Sequence, residues 1–158
     1  MYPYLNIDKK IDDVIFYDWL VLGRAPKSIE MGNRNADYVL MQDYHVEVVF
    51  DDKSLCIVVP KGMTTDLASV PKLFRSIVGR TGPHLEAAII HDWLYVAWQL
   101  QDRKPTKADH KFADDVLLAG MKAAGCSRYS RLAVWFAMKF SWGVYKGRDK
   151  NIFVEVPK

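Results

Sequence analysis

Apolar and polar positions change their spacing midway along the chain. In the first half, a stretch rich in Val, Ile and Tyr runs from Asp37 to Pro60, and the polar sequence Asp51-Asp52-Lys53 interrupts it. A polar break between two β-prone runs is typical of a hairpin, so we expect two antiparallel strands here. The run from Val14 to Val21 predicts a further strand, and Lys27 to Asn35 predicts a loop.

The second half has helical spacing. N-cap residues, glycine stops and apolar positions three and four residues apart predict a short helix followed by three longer ones. The expected ranges are Ser69 to Gly79, His84 to Leu100, Thr106 to Gly125 and Ser127 to Tyr145. The buried stripe expected for the third of these is Phe112, Ala113, Val116, Leu117, Gly120 and Met121. The predicted fold is therefore α+β, with a small N-terminal antiparallel sheet, about three main helices after it, and a single domain spanning residues 1 to 158.

The last predicted helix is apolar nearly all round. Its apolar residues are Leu132, Val134, Trp135, Phe136, Met138, Phe140, Trp142 and Val144. Arg131 and Lys139 interrupt it, and it is too short to span a bilayer, so we predict no transmembrane segment. Such a helix must be covered, either as a central core helix or as an interface for another chain.

Composition places the chain among globular proteins made in a reducing compartment. Hydrophobic residues make up 50% and charged residues 26%, which excludes a largely disordered chain. Cys56 and Cys126 lie far apart, which argues against a disulfide framework or a zinc knuckle. The N-terminus lacks the basic and apolar regions of a signal peptide, so we expect the protein in the cytoplasm.

Charge is unevenly distributed. After Gly120 the chain has eight Lys or Arg against Asp149 and Glu155. An anionic lipid surface or an acidic partner would suit this basic part, but the residues are scattered and form no specific nucleic-acid motif. A solvated helix face explains the same pattern.

The most informative polar residues are His91 and Asp92, which lie within an otherwise apolar helix. A buried ionisable pair needs hydrogen-bond partners, a metal ion or a water-filled cleft, and clefts are where titratable groups do chemistry. The alternative is a core histidine bonded to a backbone carbonyl. Both interpretations remain open from the sequence.

Asp109 is the carboxylate expected to orient His91. It lies three and four residues before Phe112 and Ala113 and so points along the core-facing stripe of the next helix. From there it would hold the imidazole tautomer and stabilise the protonated ring. The alternative is a capping box with Thr106, and a tight turn between the helices would leave His91 farther from the loop than Asp109.

A second cluster of polar residues lies in the segment that connects the sheet to the helices, and such connecting segments often carry functional sites. Asp66 is a candidate metal ligand there, and Thr65 and Ser69 are candidate supporting residues. With Asp92 and backbone carbonyls of residues 79–82, Asp66 would hold a hard cation such as Ca²⁺. The alternative is that Asp66 and Ser69 satisfy backbone donors at a turn and a helix start.

Two signatures together resemble a known family. The segment from Lys61 to Pro71 contains T-D-L-A-S-V-P, the segment from Ala87 to Tyr95 contains H-D-x-L-Y, and Ala108-Asp109 precedes Phe112. This pattern is similar to the bacteriophage and prophage family called domain of unknown function 1353, over about residues 37–143. The resemblance implies a phage or prophage origin and gives no reaction.

The combination of H-D-x-x-Y with A-D-x-x-F also resembles the catalytic helices of phospholipases A2, especially the short type in some viral capsids. The resemblance implies that His91 is the general base, Asp92 a Ca²⁺ ligand, Asp109 the orienting carboxylate and Tyr95 a supporting group. Those enzymes have closely spaced glycines in their calcium loop, whereas this chain has Gly79-Arg80-Thr81-Gly82.

Two functions follow as hypotheses. The first is a phage protein with a His-Asp hydrolase-like site acting on an ester, with calcium as its cofactor and an anionic lipid surface as its partner. The second is a non-catalytic virion component of a tail, neck or capsid, which binds other virion proteins through its aromatic last helix. Either would be made in the host cytoplasm, and the second would then be assembled into the virion.

Overall fold

The computed structural model describes residues 10–24, 38–65, 82–97, 106–141 and 156. Within these ranges, strands occupy the first half and three helices the second, so the predicted α+β class is confirmed. The loop predicted at 27–35 and the short helix predicted at 69–79 lie outside the described residues.

The strands form two small antiparallel sheets, with the orders β1-β4-β5 and β2-β3-β6. The strands are β1 (Asp13–Phe16), β2 (Leu22–Arg24), β3 (Tyr38–Leu40), β4 (Tyr44–Val49), β5 (Ser54–Val59) and β6 (Thr64–Thr65). The predicted hairpin is confirmed, since β4 pairs with β5 in a register that sets Glu47 opposite Cys56. The range predicted to hold only these two strands also contains β3, which belongs to the other sheet. Val46 and Val48 alternate with half-buried residues, so one face of this sheet meets the core.

The helices are α1 (Leu85–Ala97), α2 (Lys107–Ala123) and α3 (Arg128–Ser141). Thr106 caps α2, and Gly125 follows its end with a φ of 81°, a left-handed conformation that favours glycine. The apolar stripe predicted for α2 is buried as expected.

α1 lies in the centre of the core. Ten of its thirteen residues are buried, and it packs against α2 and β5, while α2 also contacts β1. The two helices approach closely at Gly120, where an added Cβ would lie 2.9 Å from the Cβ of Ala87. This close contact holds α2 against the N-terminal end of α1.

α3 is buried on one face only, so it is not the central core helix that its composition allowed. Val134, Ala137 and Met138 are buried, whereas Leu132 and Phe136 are exposed. The apolar residues on the opposite face meet solvent. In the described ranges, no helix combines the length and the apolar character that crossing a membrane requires.

Tyr44 offers a test of the core. Its side chain is fully buried, its hydroxyl has no hydrogen-bond partner in the described part of the chain, and burial raises its pKa. Because a buried hydroxyl without a partner costs stability, we expect Tyr44→Phe to raise the free energy of unfolding by about 1 kcal/mol in urea denaturation. Tyr129→Phe, at an exposed position, is the control. A clear loss of stability in Tyr44→Phe would show that the hydroxyl has a partner.

Candidate functional site

His91 and Asp92 lie in the middle of α1, and both are buried, with exposed fractions of 4% and 2%. The sequence expectation of a buried ionisable pair is therefore confirmed. The apolar residues around them bind the helix to the core, so the backbone that carries the pair is rigidly held. A pair in such surroundings needs polar partners, and the structure supplies them from two other elements.

Asp114 of α2 holds the imidazole of His91. The Nε2 atom of His91 lies 2.9 Å from Oδ1 of Asp114, and the Tyr95 hydroxyl donates to the same Oδ1 at 3.0 Å. The His91 and Tyr95 rings are also in contact, with centroids 4.4 Å apart. Three side chains from two helices thus form one hydrogen-bonded unit centred on a carboxylate oxygen.

This arrangement sets the tautomer of the neutral ring. A carboxylate accepts hydrogen bonds, so Nε2 carries the proton and Nδ1 presents an unshared electron pair. Nδ1 is buried and has no hydrogen-bond partner among the described residues. An acceptor without a partner on an oriented imidazole suits a general base once a water molecule reaches it.

Asp109 has a different position from the one expected. It is buried, as its place on the apolar stripe predicts, but its Oδ2 accepts from the backbone N and the Oγ1 of Thr106, each at 2.7 Å. The capping box proposed as the alternative is therefore confirmed. Among the described residues, the hydrogen bond of the His91 ring goes to Asp114 instead.

The reason is the geometry of the helix hairpin. His91 lies roughly two turns before the end of α1 at Ala97, and Asp114 lies roughly two turns after the start of α2 at Lys107. In an antiparallel pair, residues at equal distances from the connection lie opposite each other. Asp109, in the first turn of α2, is therefore too near the connection to reach the middle of α1.

Asp92 connects the sheet to the site. The Oγ1 of Thr65, in β6, donates to Oδ2 of Asp92 at 3.1 Å, and both residues are buried. The contact brings the two sequence signatures together, because Thr65 belongs to one and Asp92 to the other. Asp66 and Ser69, predicted as a metal ligand and a supporting residue, lie outside the described residues.

The described residues do not by themselves form a calcium site. Ca²⁺ takes six to eight oxygen ligands, whereas Asp92 contributes one carboxylate that already accepts from Thr65. Within 10–24, 38–65, 82–97 and 106–141, no three His, Cys, Asp or Glu side chains are placed to hold a metal ion. The pairing of Asp92 with Asp66 stays a prediction.

His110, which the sequence did not indicate, also borders the site. Its ring packs edge-on against Tyr95, with centroids 4.9 Å apart. Burial lowers the pKa of His110, and the carboxylates of Asp114 and Asp109 partly oppose this effect. A neutral His110 beside the site adds no positive charge next to His91.

The lowered pKa of His110 predicts a pH dependence of stability. The unfolded chain binds a proton near the ordinary histidine pKa of about 6.5, and the folded chain binds it only at lower pH. Stability contributed by the neutral ring is therefore present above that value and is lost as the pH falls through the lowered pKa. In urea denaturation at pH 8 and pH 5.5, we expect His110→Gln to lose less stability on acidification than the wild type. Equal losses would contradict this.

Comparison with known protein families gives a match. A family model described as "Protein of unknown function (DUF1353)" matches residues 38–138, which include β3 to most of α3 and thus Thr65, His91, Asp92 and Asp114. No curated protein and no solved structure matches the chain. Because the matched segment covers well over half of the sequence, the chain belongs to the DUF1353 family of proteins of unknown function.

Proposed function

We propose that this protein is a phage or prophage hydrolase in which His91 activates a water molecule for attack on an ester. One observation supports the proposal above the others. The imidazole is buried and fixed through Nε2, while Nδ1 is left without a partner in the described part of the chain. A water molecule hydrogen-bonded to Nδ1 would satisfy that atom and would be the nucleophile.

The proposed reaction has two steps. In the first, Nδ1 of His91 takes a proton from water while the water oxygen bonds to the ester carbonyl carbon, and the carbonyl oxygen becomes negatively charged. In the second, the carbon–oxygen bond to the alcohol breaks, and the leaving oxygen takes the proton from Nδ1. Asp114 stabilises the imidazolium between the two steps, and Tyr95 keeps the carboxylate in place.

The substrate class rests on the resemblance to phospholipases A2. The His91, Asp92 and Tyr95 positions of that motif lie on one helix, and the ring bonds to a carboxylate of the next helix, which is Asp114 and not the Asp109 of the motif. We therefore propose the ester of a phospholipid as the substrate, presented at an anionic surface that suits the basic C-terminal part. A Ca²⁺ ion on Asp92 and Asp66 would polarise the carbonyl, but the proton transfers above depend on His91 alone.

The test is ester hydrolysis by the wild type and by His91→Asn, which keeps a polar side chain but removes the base. Short-chain nitrophenyl esters and phospholipid vesicles are the substrates, each with added Ca²⁺ and with chelator. We expect activity in the wild type and a loss of at least about 10²-fold in His91→Asn.

His45→Asn is the matched control. His45 also bonds to a carboxylate, with its Nδ1 2.6 Å from Oδ2 of Asp18, but it lies on β4 and is partly exposed. Its replacement is expected to leave hydrolysis unchanged. Equal activity in His91→Asn and the wild type would contradict the proposal, and so would an equal loss in His45→Asn.

A second function, a non-catalytic virion component, is supported by the exposed aromatic face of α3. Tyr129, Leu132, Trp135 and Phe136 are exposed there, and Lys139 lies over the Trp135 ring. Aromatic residues are enriched at protein interfaces. This function predicts that the protein is found in purified particles by mass spectrometry and that it self-associates or binds a virion protein. A protein that sediments as a monomer and is absent from particles would contradict it.

A further inference from the structure

A groove with excess positive charge lies on α2, beside the start of β1 and the first half of α3. We call it the basic groove. It has a volume of about 440 Å³, which is within the range of small-molecule sites. Its charged lining residues are Lys10, Asp12, Lys111, Asp115, Lys122 and Arg131.

Two of the four cations are neutralised within the groove. Lys111 forms an ion pair with Asp115, one turn along α2, at 2.6 Å, and Lys10 lies 3.7 Å from Asp12. Lys122 and Arg131 have no ion pair among the described residues. The groove therefore has two cations that its own carboxylates do not balance, one on each of two helices.

Arg131 carries a further indication of a missing partner. The Nε atom of its guanidinium is buried and has no hydrogen-bond acceptor in the described part of the chain. A buried donor without an acceptor destabilises the fold, and such donors usually form a hydrogen bond with an ordered water molecule or a ligand. An anionic group in the groove would balance the charges of Arg131 and Lys122, and a small rotation of the guanidinium would let Nε share that acceptor.

We propose that the basic groove binds a phosphate group, with Arg131 as the bidentate donor and Lys122 as a second cation. The planar guanidinium of arginine matches the spacing of phosphate oxygens, and lysine binds them as a point charge. The site is distinct from the proposed hydrolytic one and does not depend on it. Asp115 lines the groove while Asp114 holds His91, and consecutive helix residues point about 100° apart.

The first experiment is calorimetric titration of the full chain with inorganic phosphate, with chloride at matched ionic strength as the reference. We expect phosphate to bind the wild type and the Kd to rise about tenfold or more in Arg131→Gln and in Lys122→Gln. Arg131→Lys keeps the charge but loses the bidentate geometry, so its Kd should lie between those of the wild type and Arg131→Gln. Arg128→Gln removes a cation of the same helix that does not line the groove, so its Kd should equal that of the wild type.

A second experiment distinguishes a soluble phosphate from a lipid headgroup. Vesicles of phosphatidylcholine alone and vesicles containing phosphatidic acid are sedimented with the wild type and with Arg131→Gln. Binding of inorganic phosphate and of phosphatidic acid vesicles, both weakened in Arg131→Gln, supports a site for the phosphate group itself. Binding of phosphatidic acid vesicles alone, weakened in the same variant, assigns the site to a headgroup.

The proposal is overturned if neither phosphate nor phosphatidic acid vesicles bind. It is also overturned if the affinities for phosphate and for these vesicles are the same in Arg131→Gln, Lys122→Gln and the wild type, because phosphate then binds elsewhere. The hydrolytic proposal is unaffected by either outcome, since its variants and its readout are separate.

Discussion

Replacement of Asp114 by asparagine is expected to lower kcat for ester hydrolysis by about 10²–10⁴-fold while leaving the fold intact. Asparagine has the shape of aspartate, but its amide can donate to Nε2 and so favour the tautomer with the proton on Nδ1. That tautomer cannot accept a proton from water. The amide also lacks the negative charge that stabilises the imidazolium.

Asp109→Asn is the informative comparison for this prediction. Both aspartates are on α2, but Asp109 bonds to the N-cap residue Thr106 and Asp114 bonds to His91, the proposed base. We therefore expect Asp109→Asn to retain activity and to lower the free energy of unfolding by about 1 kcal/mol. The assay is steady-state hydrolysis, with urea denaturation of the same samples. The reverse result, activity lost in Asp109→Asn and kept in Asp114→Asn, would contradict the assigned roles.

Trp93→Ala is expected to have the largest effect on stability, a loss of about 3–5 kcal/mol. Trp93 is the largest fully buried side chain in the described part of the chain, and it follows the site pair directly on α1. Its removal leaves a cavity where α1 meets the rest of the core. Since whole domains are stable by about 5–15 kcal/mol, the loss is a large share of the total.

Trp19→Ala is the matched control, because Trp19 is 88% exposed and its truncation should change stability by less than about 0.5 kcal/mol. Urea denaturation followed by far-ultraviolet circular dichroism measures both variants without relying on tryptophan fluorescence. Similar losses in the two variants would contradict the position of α1 in the core.

Much of the fold was predictable because local chemistry agrees with it. The polar break at 51–53 between two β-prone runs predicts the hairpin of β4 and β5, and the structure has it. Thr106 and Gly125 predict the two ends of α2. The burial of α3 was not predictable from its composition, because the nearly all-round apolar pattern does not show which face meets α2.

The site was only partly predictable. The apolar run around His91 and Asp92 correctly predicts that both are buried. The apolar stripe of α2 favours Asp109 as the orienting residue, since it lies in line with Phe112 and Ala113, whereas Asp114 is at the edge of the stripe and partly exposed. Asp114 could have been found by counting residues outward from the connection between the two helices, because residues at equal distances from it lie opposite each other.

The contact of Thr65 with Asp92 depends on tertiary structure. The two residues are far apart in the chain, and no local pattern relates a β6 threonine to a helical aspartate. Their only link in the sequence is that each belongs to one of the two family signatures. The spatial meeting of those signatures favours a common site rather than two separate structural motifs.

The most direct test of His91 as a base oriented by Asp114 is the tautomer of its ring, measured by long-range ¹H–¹⁵N NMR of the imidazole at pH 8.5. We expect a proton on Nε2 and an unprotonated Nδ1 in the wild type, with that preference weakened in Asp114→Asn. A proton on Nδ1 in the wild type, or a spectrum unchanged by Asp114→Asn, would show that Asp114 does not orient His91 as a base.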